Sequence, residues 1–353
     1  MPDAVRDILR ESLLRWFAVN GRALPWRETK DAYAIWLSEV ILQQTRIQQG
    51  TAYWQRFMSR YPTVETLAAA SEDEVMRLWQ GLGYYSRARN LHAAARQIVE
   101  AGHFPRTFEE LRRLKGVGDY TAAAVASIAY DEPVAVVDGN VYRVLSRYFG
   151  IDTPINTTQG KKLFAALAQE VLPPSQASAF NQAMMDFGAI HCTPKSPLCP
   201  CCPLSEACEA LRTSKVEQLP AKQKTVKVRE RRMAFLILRH QGKTALGKRP
   251  GGDIWQGLWQ PIELPVIGED ESGQPRFDEA RLQELTARTG FSPLLTPPYR
   301  TRVKHVLTHR ILYVDFYRME SEGHPQLPEG YQWVEDEDID HYGLPRIIEK
   351  EMV

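Results

Sequence analysis

At 353 residues the chain is long enough for two or three domains. Its 44% hydrophobic and 25% charged content is that of a soluble globular protein. No run of 18 or more apolar residues is present to span a membrane, and Met1 to Asn20 lacks the apolar core of a secretory signal, so an intracellular, non-membrane protein is expected. Lys and Arg total 44 against 43 Asp and Glu, a net charge of +1 that by itself speaks against a nucleic-acid binder. The balance is an average. Met319 to Asp340 holds eight acids (Glu320, Glu322, Glu329, Glu335, Asp336, Glu337, Asp338 and Asp340) and no Lys or Arg, which leaves +9 on the remainder.

Along the chain, residues 1 to about 213 carry helical-period apolar positions, punctuated at Tyr61-Pro62, Gly81-Leu82-Gly83 and Gly116-Val117-Gly118. All five cysteines fall in seventeen residues, Cys192 to Cys208. Lys222 to Arg232 holds six basic residues and one acid, Glu230, without an apolar face, and reads as a linker. From Met233 the pattern changes. Met233 to Arg239 is a buried-strand run, Gln241-Gly242 a turn, and Arg302 to Tyr317 a further pair of strand-like runs, so the second domain is expected to be α+β.

Four features carry chemistry. Cys192, Cys199, Cys202 and Cys208 are spaced to wrap one soft metal centre, either zinc or an iron–sulfur cluster, with Cys201 a bystander. Zinc sites more often use two C-x2-C pairs, and one is present; free buried thiols are the remaining alternative. Leu111 to Val125 is a short helix, a hairpin at Gly116-Val117-Gly118 and an Ala-rich helix. The glycines free the backbone to approach a ligand, and the helix N-terminus can face a phosphate. Val134 to Val137 ends at Asp138-Gly139-Asn140, which places Asp138 as an N-cap whose donated N–H groups favour the carboxylate. Glu39 has Ile35, Trp36, Leu42 and Gln43 as its helical neighbours. That setting desolvates it and holds its proton. Two carboxyl groups pushed in opposite directions make an acid and a stabilising anion.

The 6-2-5 cysteine spacing resembles the 4Fe-4S loop of the endonuclease III family, and the glycine hairpin resembles a helix-hairpin-helix motif. Joined by Leu24-Pro25-Trp26-Arg27, Trp36 to Thr45, Gly81 to Arg89, Val137 to Val141 and Phe180 to Ala189, they make the chain similar to adenine DNA glycosylases of the MutY type. The resemblance implies a monomeric, cytoplasmic repair enzyme of bacterial type that acts on double-stranded DNA with adenine opposite 8-oxoguanine or guanine. It implies one 4Fe-4S cluster on the four cysteines. Adenine would be flipped out and protonated by Glu39, with Asp138 stabilising or attacking the sugar and Asn140 orienting the acids. Trp26, Arg27, Leu42, Gln43 and Gln182 would contact the substrate. Gln44 and Tyr84 would probe the stack beside the estranged base. Gly116, Val117, Gly118 and Arg87 would hold the DNA backbone. Bifunctional relatives place a Schiff-base Lys where this chain has Tyr120, so a monofunctional glycosylase is expected.

The implied architecture is an all-helical catalytic domain, 1–215, and a C-terminal α+β Nudix-like (MutT-like) domain, 233–353, joined by the basic linker 216–232. A six-helix helix-hairpin-helix subdomain spans about 25–133, and 1–24 with 134–215 form an iron–sulfur subdomain. In the second domain the paired metal-binding glutamates of a working Nudix box are replaced by Ala287 and Arg288, so no pyrophosphatase activity is expected. Leu307-Thr308-His309 resembles the family's Phe-Ser-His 8-oxoguanine loop with two substitutions, so Thr308 and His309 are expected there. Two rivals remain. One is an endonuclease III-like enzyme acting on oxidised pyrimidines. The other is a catalytically dead iron–sulfur DNA-binding module. The basic residues are expected on one face, shared by the hairpin, Arg87, Arg89 and the linker, with the acidic segment pointing away.

Overall fold

The computed structural model describes residues 3–223, 229–271, 273–292, 300–307, 310–323 and 325–352. Twelve helices precede residue 213 among them. They are α1 (Asp3–Asn20), α2 (Ala32–Leu42), α3 (Ile47–Arg60), α4 (Val64–Ala69), α5 (Glu72–Trp79), α6 (Ser86–Ala101), α7 (Phe108–Leu111), α8 (Asp119–Tyr130), α9 (Gly139–Phe149), α10 (Thr158–Val171), α11 (Ala177–Asp186) and α12 (Glu209–Arg212). Their starts follow local chemistry. Asp31 accepts from the Tyr33 and Ala34 amides at the head of α2, Asp138 does the same at α9, and Ser71 with Glu74 closes a capping box on α5. Among the described residues no helix is long and apolar enough to cross a membrane.

The chain divides into two compact units. The first is Met1–Ala69 with Asn90–Lys224. Its centre is α2, buried from Ala32 to Ile41, packed against α3 and α8. The run Ala122 to Ala126 on α8 is buried throughout, and its small side chains let α2 and α11 come close. Trp36, Phe57, Phe164, Phe180 and Phe187 are fully buried and fill the rest of the core.

The second unit is Ala70–Arg89 with Thr225–Val353. Its strands are β1 (Arg229–His240), β2 (Lys243–Lys248), β3 (Trp259–Gln260), β4 (Ile262–Glu263), β5 (Val266–Glu269), β6 (Pro275–Phe277), β7 (Arg300–Val306), β8 (Arg310–Glu320) and β9 (Tyr331–Glu335). The main sheet runs β3-β2-β1-β8-β7, with β4 on β1 and β9 on β2, and β5-β6 form a separate ribbon. β1 and β8 pair in parallel; the others pair antiparallel. β1 reads as a continuous apolar run because both faces are covered. Met233, Phe235 and Ile237 face α14 (Arg346–Met352) through Ile347, Ile348 and Met352, while Ala234, Leu236 and Leu238 face the opposite core with Leu285 of α13 (Glu279–Thr289).

Two features differ from the expected partition. Ala70–Arg89 clusters with the C-terminal segment rather than with the helical unit. β1 begins at Arg229, so the last four residues of the expected linker are strand. β8 supplies their ladder partners from Arg310 to Tyr313, and Asp253 and Glu269 pair with Arg231 and Arg232. Backbone pairing and ion pairs thus substitute for the apolar face this stretch lacks.

Candidate active site

Glu39 sits on the buried face of α2 at 7% exposure. Its Oε2 accepts from the Tyr120 hydroxyl at 2.6 Å, and the same hydroxyl lies 3.9 Å from the Met185 sulfur. Burial raises the proton affinity of Glu39. The Tyr120 hydrogen bond opposes this, the Asp138 charge adds to it and the Arg27 charge opposes it. The net direction is upward, as the apolar neighbours in the sequence imply. Tyr120 is pushed well above its ordinary value by burial and by both carboxyl groups, so its hydroxyl keeps its proton and serves as donor.

Asp138 caps α9 with Oδ1, which accepts from the Asn140 amide at 2.8 Å and the Val141 amide at 2.7 Å. Its Oδ2 accepts from Asn140 Nδ2 at 2.7 Å. Asn140 is oriented in turn by Arg143, whose Nη2 donates to Asn140 Oδ1 at 2.8 Å and to the Gly188 carbonyl. Arg143 Nε reaches the Cys192 carbonyl at 2.7 Å. A chain of charge-assisted bonds therefore runs from Asp138 to the first cysteine. The π-helical turn Phe187–His191 makes the close approach, and Gly188 permits it: a Cβ there would lie 2.6 Å from Asn140 Cβ.

The expected opposite shifts of the two acids are not met. Burial also pushes Asp138 upward, outweighing its bonds to the Val141 amide, the Asn140 side chain and the Asn140 amide, and the charge of Arg143. The cap is present, but desolvation is tertiary and overrides it. The two acids still differ in kind. Three N–H donors hold Asp138, whereas one hydroxyl holds Glu39.

Several other predicted residues lie on α2 or on elements packed against α2 or α8. Trp26 is buried edge-on to Trp54, on the turn Pro25–Arg27 that packs on α2. Arg27 is bound by Asp186, which is fully buried and also holds Arg22. Gln43 donates to Thr121 Oγ1 at 3.0 Å, and the partly buried Leu42 lies beside Gly50 of α3. Gln182 lies one turn before Met185 and Asp186 on α11, and its amide nitrogen is tied to Ser178. The two residues expected to probe the stack share a signature: Gln44 (φ 56°) and Tyr84 (φ 48°) both occupy the left-handed region. Non-glycine residues there store strain, which clusters at ligand-contacting positions. The sequence reading missed Arg143, Asp186, Arg22 and Met185. For Asp186 a signal existed, an acid within an apolar helix, the same signal that marked Glu39.

In the hairpin Gly116 adopts φ +76°, and a Cβ would strike Asn90, so glycine is required twice over. Gly118 caps α8 in extended conformation, with open space where a Cβ would stand. Val117 is buried. In the second unit Arg87 stacks over Trp79 and Tyr84 and donates to the Gly83 carbonyl, and Arg89 donates to the Gln256 carbonyl. Both arginines therefore already make protein contacts, which differs from the open basic face expected of them. Tyr84, Arg89, Trp255, Leu307 and Arg310 line a cavity of about 640 Å³ within that unit. Thr308 and His309 lie outside the described residues.

Cys192, Cys199, Cys202 and Cys208 line one partly open cavity with Arg147, Leu198 and Leu211, while Cys201 is exposed. Among the described residues no three or more His, Cys, Asp or Glu are grouped to hold a single metal ion. Arg147 Nη1 lies 3.3 Å from Cys192 Sγ. Burial pushes the Cys199, Cys202 and Cys208 thiols up, Cys202 to about 12. Four thiolates there need a strongly positive centre among them; Arg147 supplies one charge. Four thiols facing one cavity are a donor set that suits a thiolate-held metal centre.

Residues 37–174 match the HhH-GPD superfamily of base excision DNA repair proteins and residues 233–352 the NUDIX domain. Human adenine DNA glycosylase is 35% identical over 94% of this chain and 70% of its own length. The adenine DNA glycosylase of Buchnera aphidicola from Acyrthosiphon pisum is 30% identical over 97% and 96%. A thermostable thymine-DNA glycosylase structure matches with a TM-score of 0.56 at 30% identity, covering 60% of this chain and 98% of that one. On that likeness the chain belongs to the adenine DNA glycosylases, hydrolytic enzymes of base excision repair with a helix-hairpin-helix domain and a C-terminal Nudix-like domain.

Proposed function

We propose that the protein excises adenine paired with 8-oxoguanine, or with guanine, from duplex DNA, as a monofunctional glycosylase acting as a monomer in the cytoplasm. The observation that carries the reading is a buried Glu39 that accepts from Tyr120 and whose proton affinity is raised by burial and by the charge of a triply donated Asp138. With adenine flipped into the pocket, Glu39 protonates it at N7 and makes it a neutral leaving group. Asp138, as the carboxylate, stabilises the developing sugar cation or bonds to its anomeric carbon, and water completes hydrolysis. Asn140 holds the Asp138 carboxylate. Trp26, Arg27, Leu42, Gln43 and Gln182 frame the base, and Gln44 and Tyr84 press on the stack opposite. Gly116, Val117, Gly118 and Arg87 hold the phosphate backbone without reading sequence. Tyr120 could not form an imine, so no strand cleavage follows.

In the C-terminal domain Leu307, Thr308 and His309 contact the 8-oxoguanine, and no pyrophosphatase chemistry remains. Cys192, Cys199, Cys202 and Cys208 hold a 4Fe-4S cluster, which supplies four thiolate-bound irons and a one-electron redox capacity when bound. Stoichiometric iron and acid-labile sulfide in the purified protein is the expected result, and stoichiometric zinc in their place overturns that assignment.

The decisive assay incubates the protein with duplexes carrying adenine opposite 8-oxoguanine, adenine opposite thymine, or thymine glycol, followed by hot alkali. Alkali-dependent cleavage confined to the mispaired adenine is expected. An intact 8-oxoguanine duplex rejects the reading, and cleavage at thymine glycol favours the pyrimidine-repair rival. Full activity in Glu39→Gln rejects the role of Glu39 alone.

A further inference from the structure

Asp186 is a fully buried carboxylate at the C-terminal end of α11, and five hydrogen-bond donors converge on it. Arg22 gives its amide at 2.9 Å, its Nε at 2.9 Å and its Nη2. Arg27 meets it fork to fork, Nη1 to Oδ2 at 2.7 Å and Nη2 to Oδ1 at 2.8 Å, and the same Nη1 also donates to the Arg22 carbonyl at 3.0 Å. Bidentate geometry of this kind fixes a guanidinium in direction as well as in place. Burial alone would raise Asp186, but the bonds from Arg27 and Arg22 outweigh it and hold the carboxyl below its ordinary range.

The neighbourhood gives this anchor a consequence. Met185, next in sequence, touches the Tyr120 hydroxyl that bonds Glu39. The turn carrying Arg27 packs on α2, which carries Glu39. Arg27 thus binds one buried carboxylate, Asp186, while its charge is also felt by another, Glu39. If Arg27 turned to Glu39, the resulting ion pair would ionise the group that must keep a proton.

We propose that Asp186 is a positioning residue for the general acid: by saturating the guanidinium of Arg27 it withholds that cation from Glu39. The inference rests on the reading of Glu39 as the acid. The groups facing Glu39 are Tyr120 from α8, Asp138 from the turn before α9 and Arg27 from the turn before α2. On α3, which also packs on α2, Arg56 and Arg60 lie over the rings of Tyr53 and Tyr61.

The sign follows directly. Glu39 acts while protonated, so activity falls as pH rises through its titration. An opposite charge brought within a few ångströms lowers a carboxyl by about one to three units. Asp186→Asn keeps the shape, frees Arg27 and moves the alkaline limb of the single-turnover pH profile to lower pH by about one unit or more. The rate is then down about tenfold at the alkaline end and recovers on acidification. Arg22→Gln combined with Asp186→Asn keeps the net charge of the cluster and gives the same shift should the single variant fold poorly. Adding Arg27→Gln to Asp186→Asn returns the limb to within half a unit of its original position or above it.

A folded Asp186→Asn or charge-conserving double variant whose alkaline limb stays in place, or moves upward, overturns the proposal even if its rate is low. A merely structural loss lowers the rate at every pH alike. Failure of the underlying reading is separately visible, because Glu39→Gln would then remain active.

Discussion

Replacing Arg143 by Met preserves length and apolar stem but deletes every donor. Four bonds vanish around Asp138 and its partner Asn140: to Asn140 Oδ1 at 2.8 Å, to the Gly188 carbonyl, to the Cys192 carbonyl at 2.7 Å and to the Gly139 carbonyl at 3.3 Å. Asn140 then loses the partner that fixes its amide, and its 2.7 Å bond to Asp138 Oδ2 is no longer enforced. A hydrogen bond involving a charged group is worth about 1.5–3 kcal/mol. If the Asn140–Asp138 bond is lost where negative charge on Asp138 counts most, the chemical step slows by roughly 10- to 100-fold, at about 1.4 kcal/mol per decade. Asp138 is already raised by burial, and losing Asn140 and Arg143 raises it further. Because the proposed role of Asp138 requires its carboxylate, the acid limb of the pH profile moves to higher pH. Single-turnover excision from an 8-oxoguanine duplex across pH, with circular dichroism to establish folding, reads both effects. A folded Arg143→Met protein within threefold of the parent rate and with an unmoved acid limb would refute the reasoning.

Asp138→Asn keeps a good helix cap, so the melting temperature should change little while excision falls by about a thousandfold or more; an active variant removes Asp138 from the mechanism. Tyr120→Phe deletes the hydroxyl that lowers Glu39, so the alkaline limb should move to higher pH and stability should fall by about 1 kcal/mol; a limb displaced to lower pH contradicts the assigned hydrogen bond. Gly188→Ala drives a Cβ against Asn140 backbone and side chain and should cost about 1–3 kcal/mol in denaturant unfolding together with a slower chemical step; an unaffected rate would mean the turn yields without moving Asn140.

The individual acids were legible because their signals are local. Glu39 stood among apolar helical neighbours, and Asp138 followed an apolar run with Gly-Asn behind it, so a buried acid and an N-cap could be read from a dozen residues each. What was not legible depended on contacts distant in sequence. Arg22 and Asp186 are 164 residues apart, and Arg143 reaches acceptors 45 and 49 residues later. The direction of the Asp138 shift was missed for the same reason, since its cap is local and its burial is not. The strand character of Arg229 to Arg232 comes from β8, about eighty residues later, and not from any apolar alternation of its own.

The placement of Arg147 bears on how the protein is made. Its guanidinium donates to the carbonyls of Cys192, Thr193, Pro194 and Leu219 and to the Cys192 sulfur, all C-terminal to it. A nascent chain that has released α9 from the ribosome but not yet the cysteine segment presents Arg147 with none of these acceptors. The helix that Asp138 caps therefore lacks this set of anchors during early synthesis. These bonds to Arg147 form only after the cysteine segment and Leu219 have emerged, ahead of the strands β1 to β9 that follow in the chain.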